Sequence, residues 1–224
     1  MGAVCAVYAN YAQFHDWRWS ACIFFTFYHM LDNMDGKHAR RTRQSSEFGA
    51  ILDHFVDGTC GIWSGAVGLQ YALDINNQTM TLGVWAFTFL FWCVHIVHAL
   101  TGFFELGNDF LSIDEAFLVL SLVRALYAMD VTFPSFLKNN TMHLVIVAFI
   151  FLMGFQWLLV HGVQRISRTA MKKNVHLFVA YGLYVVGSYM YLPAYAHSIW
   201  GPIYALAFFT IPYGMVLWES RNKH

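Results

Sequence analysis

Apolar residues in this chain gather into long unbroken runs; they neither alternate nor confine themselves to one helical face. Seven runs can be drawn, at about 19–36, 47–73, 81–104, 114–129, 141–164, 174–195 and 198–218. A hydrocarbon core of about 30 Å needs roughly 20 apolar residues per helix. Most of the runs meet that length, and the fourth is short. Stretches such as LVIVAFIFLMGFQWLLV at 144–160 carry no two-residue alternation, which argues against barrel strands. Lipid offers no partner to an unpaired backbone group, so helices are the expected way across. The pattern therefore predicts an all-α protein, a polytopic transmembrane bundle of about seven spans forming a single domain over 1–224.

Charge supplies an orientation. Basic residues cluster at Lys37, Arg40, Arg41 and Arg43, at Arg165, Arg168, Lys172 and Lys173, and at Arg221 and Lys223. Seven spans place all three clusters on one side, while the opposite loops, near 74–80 and 130–140, hold only Lys138. By the positive-inside rule the basic side faces the cytoplasm or the mitochondrial matrix. The endoplasmic reticulum and the mitochondrial inner membrane are the candidate membranes. Composition agrees with lipid as the solvent. Hydrophobic residues make up 58% of the 224, charged residues 12%, and mean hydropathy is +0.47. A soluble domain carries about 25% charged residues. Thirteen basic residues balance 13 acidic ones, so the footprint of a nucleic-acid binder is missing. Cys5, Cys22, Cys60 and Cys93 are scattered through apolar sequence and read as small packing residues. Met1 to Gln13 is apolar but too short to span, and is expected to be the tail of a helix or an interfacial segment. Ala6 stands where a myristoylation motif wants Ser or Thr. Asn77-Gln78-Thr79 and Asn139-Asn140-Thr141 match the glycosylation sequon on the far side.

Acidic residues inside spans are expensive and mark function by default. Asp32 and Asp35 end the first run, and Asp53 and Asp57 lie near the start of the second. Spacings of three and four each put a pair on one helix face. A short basic linker makes the two helices antiparallel neighbours, so the pairs meet at one depth. Four carboxylates in one pocket repel unless a cation separates them, and an oxygen-only donor set suits Mg²⁺, Mn²⁺ or Ca²⁺. Polar helix ends facing the headgroups would account for one or two such aspartates, but not for four so paired.

The residues between them are specific. Asp32, Asp35, Gly36, Ala39, Arg40, Gly49, Asp53 and Asp57 match D-x2-D-G-x2-A-R-x8-G-x3-D-x3-D at every fixed position and every gap. This pattern resembles the signature of the CDP-alcohol phosphotransferase family. The run 31–42 and the Asp53-His54 element resemble its choline/ethanolamine branch. Thr101-Gly102, Leu106-Gly107 and Asp114-Glu115 do so more weakly. The resemblance implies transfer of phosphocholine or phosphoethanolamine from CDP-choline or CDP-ethanolamine to diacylglycerol, with release of CMP. It implies that Asp32, Asp35 and Asp53, with Asp57, hold two divalent cations, Mg²⁺ or Mn²⁺. It makes Asp57 a general base or a further ligand, with His54 the rival base. Gly36 and Ala39 would admit the nucleotide close to the helix, Arg40 would pair with phosphate, and Gly49 would let the second helix pack tightly. Members of that branch are usually longer at both ends. A family-derived, non-catalytic lipid-binding subunit of a larger membrane complex is therefore the alternative expectation. Membrane lipid and a homodimer or larger assembly are the expected partners.

Other constellations are weaker. His95 and His98 share a face of the third run, and His161 and His176 flank the second basic loop, which raises bis-histidine haem beside plain hydrogen bonding. Haem would leave the aspartates unexplained. Glu115 either caps the fourth helix or faces the pocket. Trp17, Trp19, Trp200 and Trp218 read as interfacial anchors.

Overall fold

In a computed structural model of the protein, residues 1–46, 49, 53, 56–101, 107–108, 111–163, 175, 179, 182 and 186 are described. Six α-helices carry the architecture: α1 (Gly2–Phe14), α2 (Arg18–Arg41), α3 (Ile62–Leu73), α4 (Asn77–Thr101), α5 (Ile113–Ala128) and α6 (Asn140–Trp157). A π turn, Asp57–Gly61, leads into α3, and another, Leu158–Val163, extends α6. A small antiparallel pair, Gly107–Asn108 with Leu111–Ser112, precedes α5. The described part is thus helical apart from that pair. Among the described residues, two segments are long and apolar enough to cross a membrane, Asn77–Val97 and Asn140–Gly162. The predicted sixth and seventh runs lie almost wholly outside the described residues.

The packing has two parts. Helix α2 lies between α1 and α5, and α3 closes against α1 and α5. Helix α4 packs on α3 and carries α6 on its other side. The α1–α2 contact follows from sequence: Ala6, Ala9 and Ala12 recur every third residue and are fully buried, so a stripe of methyl groups brings the helices close. Of the two expectations for the N-terminus, a helix tail or an interfacial segment, the helix is the one found. The segment is a packed helix, and it also buries Asn10 and Gln13. Between α4 and α6, Gly154 plays the same part: a Cβ there would stand 2.8 Å from the Phe89 ring and 3.3 Å from the Leu90 backbone.

Helix ends are set by local chemistry. Asn76 Oδ1 accepts the Thr79 N–H, and Asn139 Oδ1 accepts the Thr141 N–H, capping α4 and α6. The sequon residue Asn139 is thus a cap. Helices α1, α2, α3 and α5 end on a left-handed residue that is not glycine: Asp16, Arg43, Asp74 and Asp130, with φ between 54° and 57°. Each is followed by a bond back to the last turn, such as Gln44 N–H to the Ala39 carbonyl. Helix α2 therefore runs through Gly36 to Arg41, and Lys37 and Arg40 ride on it. The predicted linker begins later because Lys, Ala and Arg favour the helix and cations suit its C-terminal end.

Alternation of helix direction gives the bundle two ends. At one end the termini of α1, α3 and α5 meet the starts of α2, α4 and α6. Arg18 bridges Asp16 at 2.7 Å and Asp130 at 2.5 Å and lies over the Tyr127 ring. Lys138 meets Asp74 at 2.6 Å. Asn140 accepts from both Asn76 and Thr79. Halfway along, Arg124 is buried at 2% exposure. It donates to the Ser64 carbonyl at 2.5 Å and to Gln13 Oε1 at 3.2 Å, and it stacks on Phe25.

Candidate metal and phosphate centre

The other end holds the carboxylates. Asp32 comes from the second half of α2, and Asp57 opens the π turn before α3. One carboxylate oxygen from each of Asp32, Asp53 and Asp57 falls within 4.8 Å of the others. Asp57 is buried, and the other two are half-buried. The wider turn at Asp57–Gly61 is the kind of helical irregularity that gathers at functional sites. Ionised carboxylates this close repel one another unless a proton or a cation lies between them, and three oxygen donors of this kind fit a hard divalent cation. The residues present therefore suit Mg²⁺ or Mn²⁺ on chemical grounds.

The remaining signature residues surround this triad. Asp35 is exposed one turn further along α2 and acts electrostatically on Asp53, as does Arg40. It stands outside the clustered three. Gly36 faces Arg40: a Cβ there would come within 3.3 Å of the guanidinium, so the glycine leaves that side chain room. Ala39 is half-buried and Arg40 exposed, as a phosphate contact arriving from water requires. Gly49 is exposed, and its N–H donates to Ser46 Oγ at 3.0 Å. His54 lies outside the described residues. Glu115 is exposed on the first turn of α5 and does not join the cluster. In α4, His95 donates through Nδ1 to the Phe91 carbonyl at 2.7 Å, in keeping with plain hydrogen bonding. The cysteines are free thiols, and Cys22, Cys60 and Cys93 are buried, as packing residues would be.

Beneath the triad lies an apolar floor of Ala6, Ala9, Phe25, Tyr28, Cys60 and Phe117. One member is not apolar throughout. The Tyr28 hydroxyl donates to Asp57 Oδ1 at 2.9 Å from a fully buried ring. Tyr28 escapes notice in a chain with 12 tyrosines. Its signal was its position four residues before Asp32, on the same face of α2.

Clustered helical carboxylates, with a glycine-bordered arginine near them, could hold a cation and meet an anion. The comparisons with known proteins give the family. A family model described as CDP-alcohol phosphatidyltransferase matches residues 1–164, and the chain belongs to that family. It is similar to cholinephosphotransferase 1 of Rattus norvegicus, 30% identical over 111 residues, 48% of this chain and 28% of that protein. To cholinephosphotransferase 1 of Bos taurus it is 31% identical over 125 residues, 53% of this chain and 30% of that protein. To an uncharacterized CDP-alcohol phosphatidyltransferase class-I family protein 2 of Dictyostelium discoideum it is 29% identical over 123 residues, 51% and 29% respectively. The match spans under a third of the length of each of these relatives.

Proposed function

We propose that the protein sits in a membrane and transfers phosphocholine or phosphoethanolamine from the CDP-alcohol to diacylglycerol, releasing CMP. The observation that carries this is the convergence of Asp32, Asp53 and Asp57 within 4.8 Å, in a chain of this family. In the proposed reaction the acceptor hydroxyl oxygen attacks the β-phosphorus. The bond from that phosphorus to the bridging oxygen breaks, CMP departs, and the hydroxyl proton passes to Asp57 or His54. Asp32, Asp53 and Asp57, with Asp35 at their edge, would hold the divalent cations. When bound, such cations neutralise the diphosphate and stabilise the attacking and leaving oxygens. Arg40 offers a planar fork that stays charged and pairs with phosphate. Gly36 keeps that fork free of a neighbouring side chain. Phosphoryl transfer needs positioning and charge neutralisation more than covalent help, and fixed groups on two helices supply positioning.

The test uses the purified full chain in lipid with diacylglycerol and Mg²⁺, offering CDP-choline and CDP-ethanolamine separately and following CMP. Metal-dependent release that Asp53→Asn abolishes supports the proposal, and the rate ratio names the alcohol. Silence with both donors, from folded protein that still binds Mn²⁺, would overturn it in favour of a lipid-binding subunit. His54→Ala and Asp57→Asn then separate the base from the ligand. The variant that loses turnover but keeps Mn²⁺ affinity has lost the base.

A further inference from the structure

We infer that Tyr28 is a positioning residue for the site: its buried hydroxyl, donating to Asp57 Oδ1, holds that carboxylate facing Asp32 and Asp53. This role rests on the proposed cation site, and its kinetic arm rests on the proposed transfer reaction.

Four observations bear on it. The hydroxyl is 2.9 Å from Oδ1, an ordinary distance for an O–H donor to a carboxylate. The ring has little freedom. It is fully buried, edge-on to Phe117 with centroids 5.6 Å apart at 87°, and close to Phe25 at 6.0 Å. Gly61, four residues after Asp57 at the end of the π turn, makes way for the hydroxyl. A Cβ there would lie 2.4 Å from the Tyr28 oxygen and 2.7 Å from the Phe117 ring. Finally, Tyr28 and Asp32 are one turn apart on α2, so a single helix supplies both a triad carboxylate and the group that orients another.

The physical consequence is specific. Asp57 opens a π turn, where the ordinary helical ladder does not fix the backbone, and a carboxylate there would otherwise rotate about its terminal bond. A hydrogen bond from a rigid phenol to one oxygen removes that rotation and leaves the other oxygen to the cluster. Charge-assisted bonds of this kind are roughly twice as strong as neutral ones. Partners that orient metal ligands typically contribute about 10–100-fold to metal affinity. The apolar floor keeps water from replacing the phenol.

Tyr28→Phe removes only the hydroxyl and leaves the ring packing, so the bundle should keep its fold. In the full chain in lipid nanodiscs, Mn²⁺ binding is measured by titration for wild type, Tyr28→Phe, Asp57→Asn and the double variant. The expected result is a Kd for Mn²⁺ raised roughly tenfold by Tyr28→Phe, with no further rise when it is added to Asp57→Asn. In the CMP assay the Mg²⁺ concentration for half-maximal rate should rise in parallel, with the KM for diacylglycerol unchanged. A purely packing role would instead lower the unfolding midpoint and leave Mn²⁺ affinity alone. The inference is overturned if Tyr28→Phe binds Mn²⁺ within twofold of wild type, or if its effect persists in full on the Asp57→Asn background. Gly61→Ala, which displaces the hydroxyl without deleting it, must weaken Mn²⁺ binding in the same direction, and serves as the test should Tyr28→Phe fail to fold. Wild-type protein that binds Mn²⁺ but releases no CMP would sink the transfer proposal and leave the Mn²⁺ comparison to decide the role of Tyr28.

Discussion

The two ends of this bundle treat aspartate in opposite ways. At one end Asp16, Asp74 and Asp130 each meet a cation: Arg18 serves the first and third, Lys138 the second. All three are exposed and occupy left-handed helix ends. At the other end Asp32, Asp53 and Asp57 meet one another, half-buried or buried, with Arg40 nearby but turned to solvent. A chain selected only for stability would treat both ends like the first. Gathering like charges at reduced exposure is unfavourable unless something offsets the repulsion. In the proposed reaction a divalent cation does so, and the difference between the ends is what the proposal explains.

The largest effect should come from breaking the carboxylate end. Asp53→Asn removes one donor from the triad and one unit of charge. We expect at least about a hundredfold loss of CMP release, in the range seen when one preorganised electrostatic contact is deleted, and weaker Mn²⁺ binding. The variant should unfold no more easily than wild type, because the deletion relieves repulsion. A chelator should abolish CMP release in wild type, and Mg²⁺ should restore it. Retention of near-wild-type turnover in Asp53→Asn would mean that the clustering serves the fold and not the reaction.

Between the ends a substitution should shift stability and spare chemistry. Gly68→Ala places a methyl 2.4 Å from Arg124 Nε and 2.7 Å from Cζ. Arg124 is buried, and moving it would disturb its bonds to Ser64 and Gln13. Overpacking of a filled interior is destabilising by typically 1–3 kcal/mol, and the expected loss in unfolding free energy falls there. CMP release per folded molecule should change less than about twofold, since Phe117, at the floor of the site, is seven residues from Arg124, about 10 Å along α5. An activity loss as large as that of Asp53→Asn would show that the polar middle of the bundle communicates with the site.

How much of this was visible in the sequence follows the same division. The carboxylate end was legible because its chemistry is written as spacing. Pairs at i+3 and i+4 on two neighbouring helices can share one depth, and Asp32, Asp53 and Asp57 do come together. Asp35 shared the same spacing but is exposed and lies outside the clustered three. Tyr28 carried only a positional signal, one turn before Asp32, because nothing in composition separates an orienting phenol from the other aromatics of so aromatic a chain. The helix ends were hidden for a different reason. The usual marker of a left-handed terminus is glycine, and here Asp16, Arg43, Asp74 and Asp130 adopt it. Without that marker the α2 boundary was set at Gly36, one and a half turns early. Helix α1 was expected as the tail of a helix or an interfacial segment, and the choice stayed open because its packed face is built from alanine, too small to register as a hydrophobic stripe. Segment α4 passes the membrane-length test with 78% of it buried and α6 passes with 17% buried. Hydropathy finds such helices and says nothing of which lies at the centre.

The paired end should give the smallest effect of all. Lys138 is 38% exposed at its side chain and Asp74 is 67% exposed, so water screens the pair despite its 2.6 Å contact. Ion pairs of this kind contribute about 0.2–1 kcal/mol. Lys138→Ala should lower unfolding free energy by less than about 1 kcal/mol, an effect that fades as ionic strength rises and the Debye length shrinks below about 10 Å. CMP release should not change. Asn140, which accepts from Asn76 and Thr79 across the same loops, remains in place and should hold α6 against α4 when the lysine is lost. A loss well above 1 kcal/mol, insensitive to salt, would mean that Lys138 and Asp74 are desolvated in the membrane-bound protein. The contrast between the ends would then be one of opposite charges meeting against like charges gathered, with burial no longer part of it.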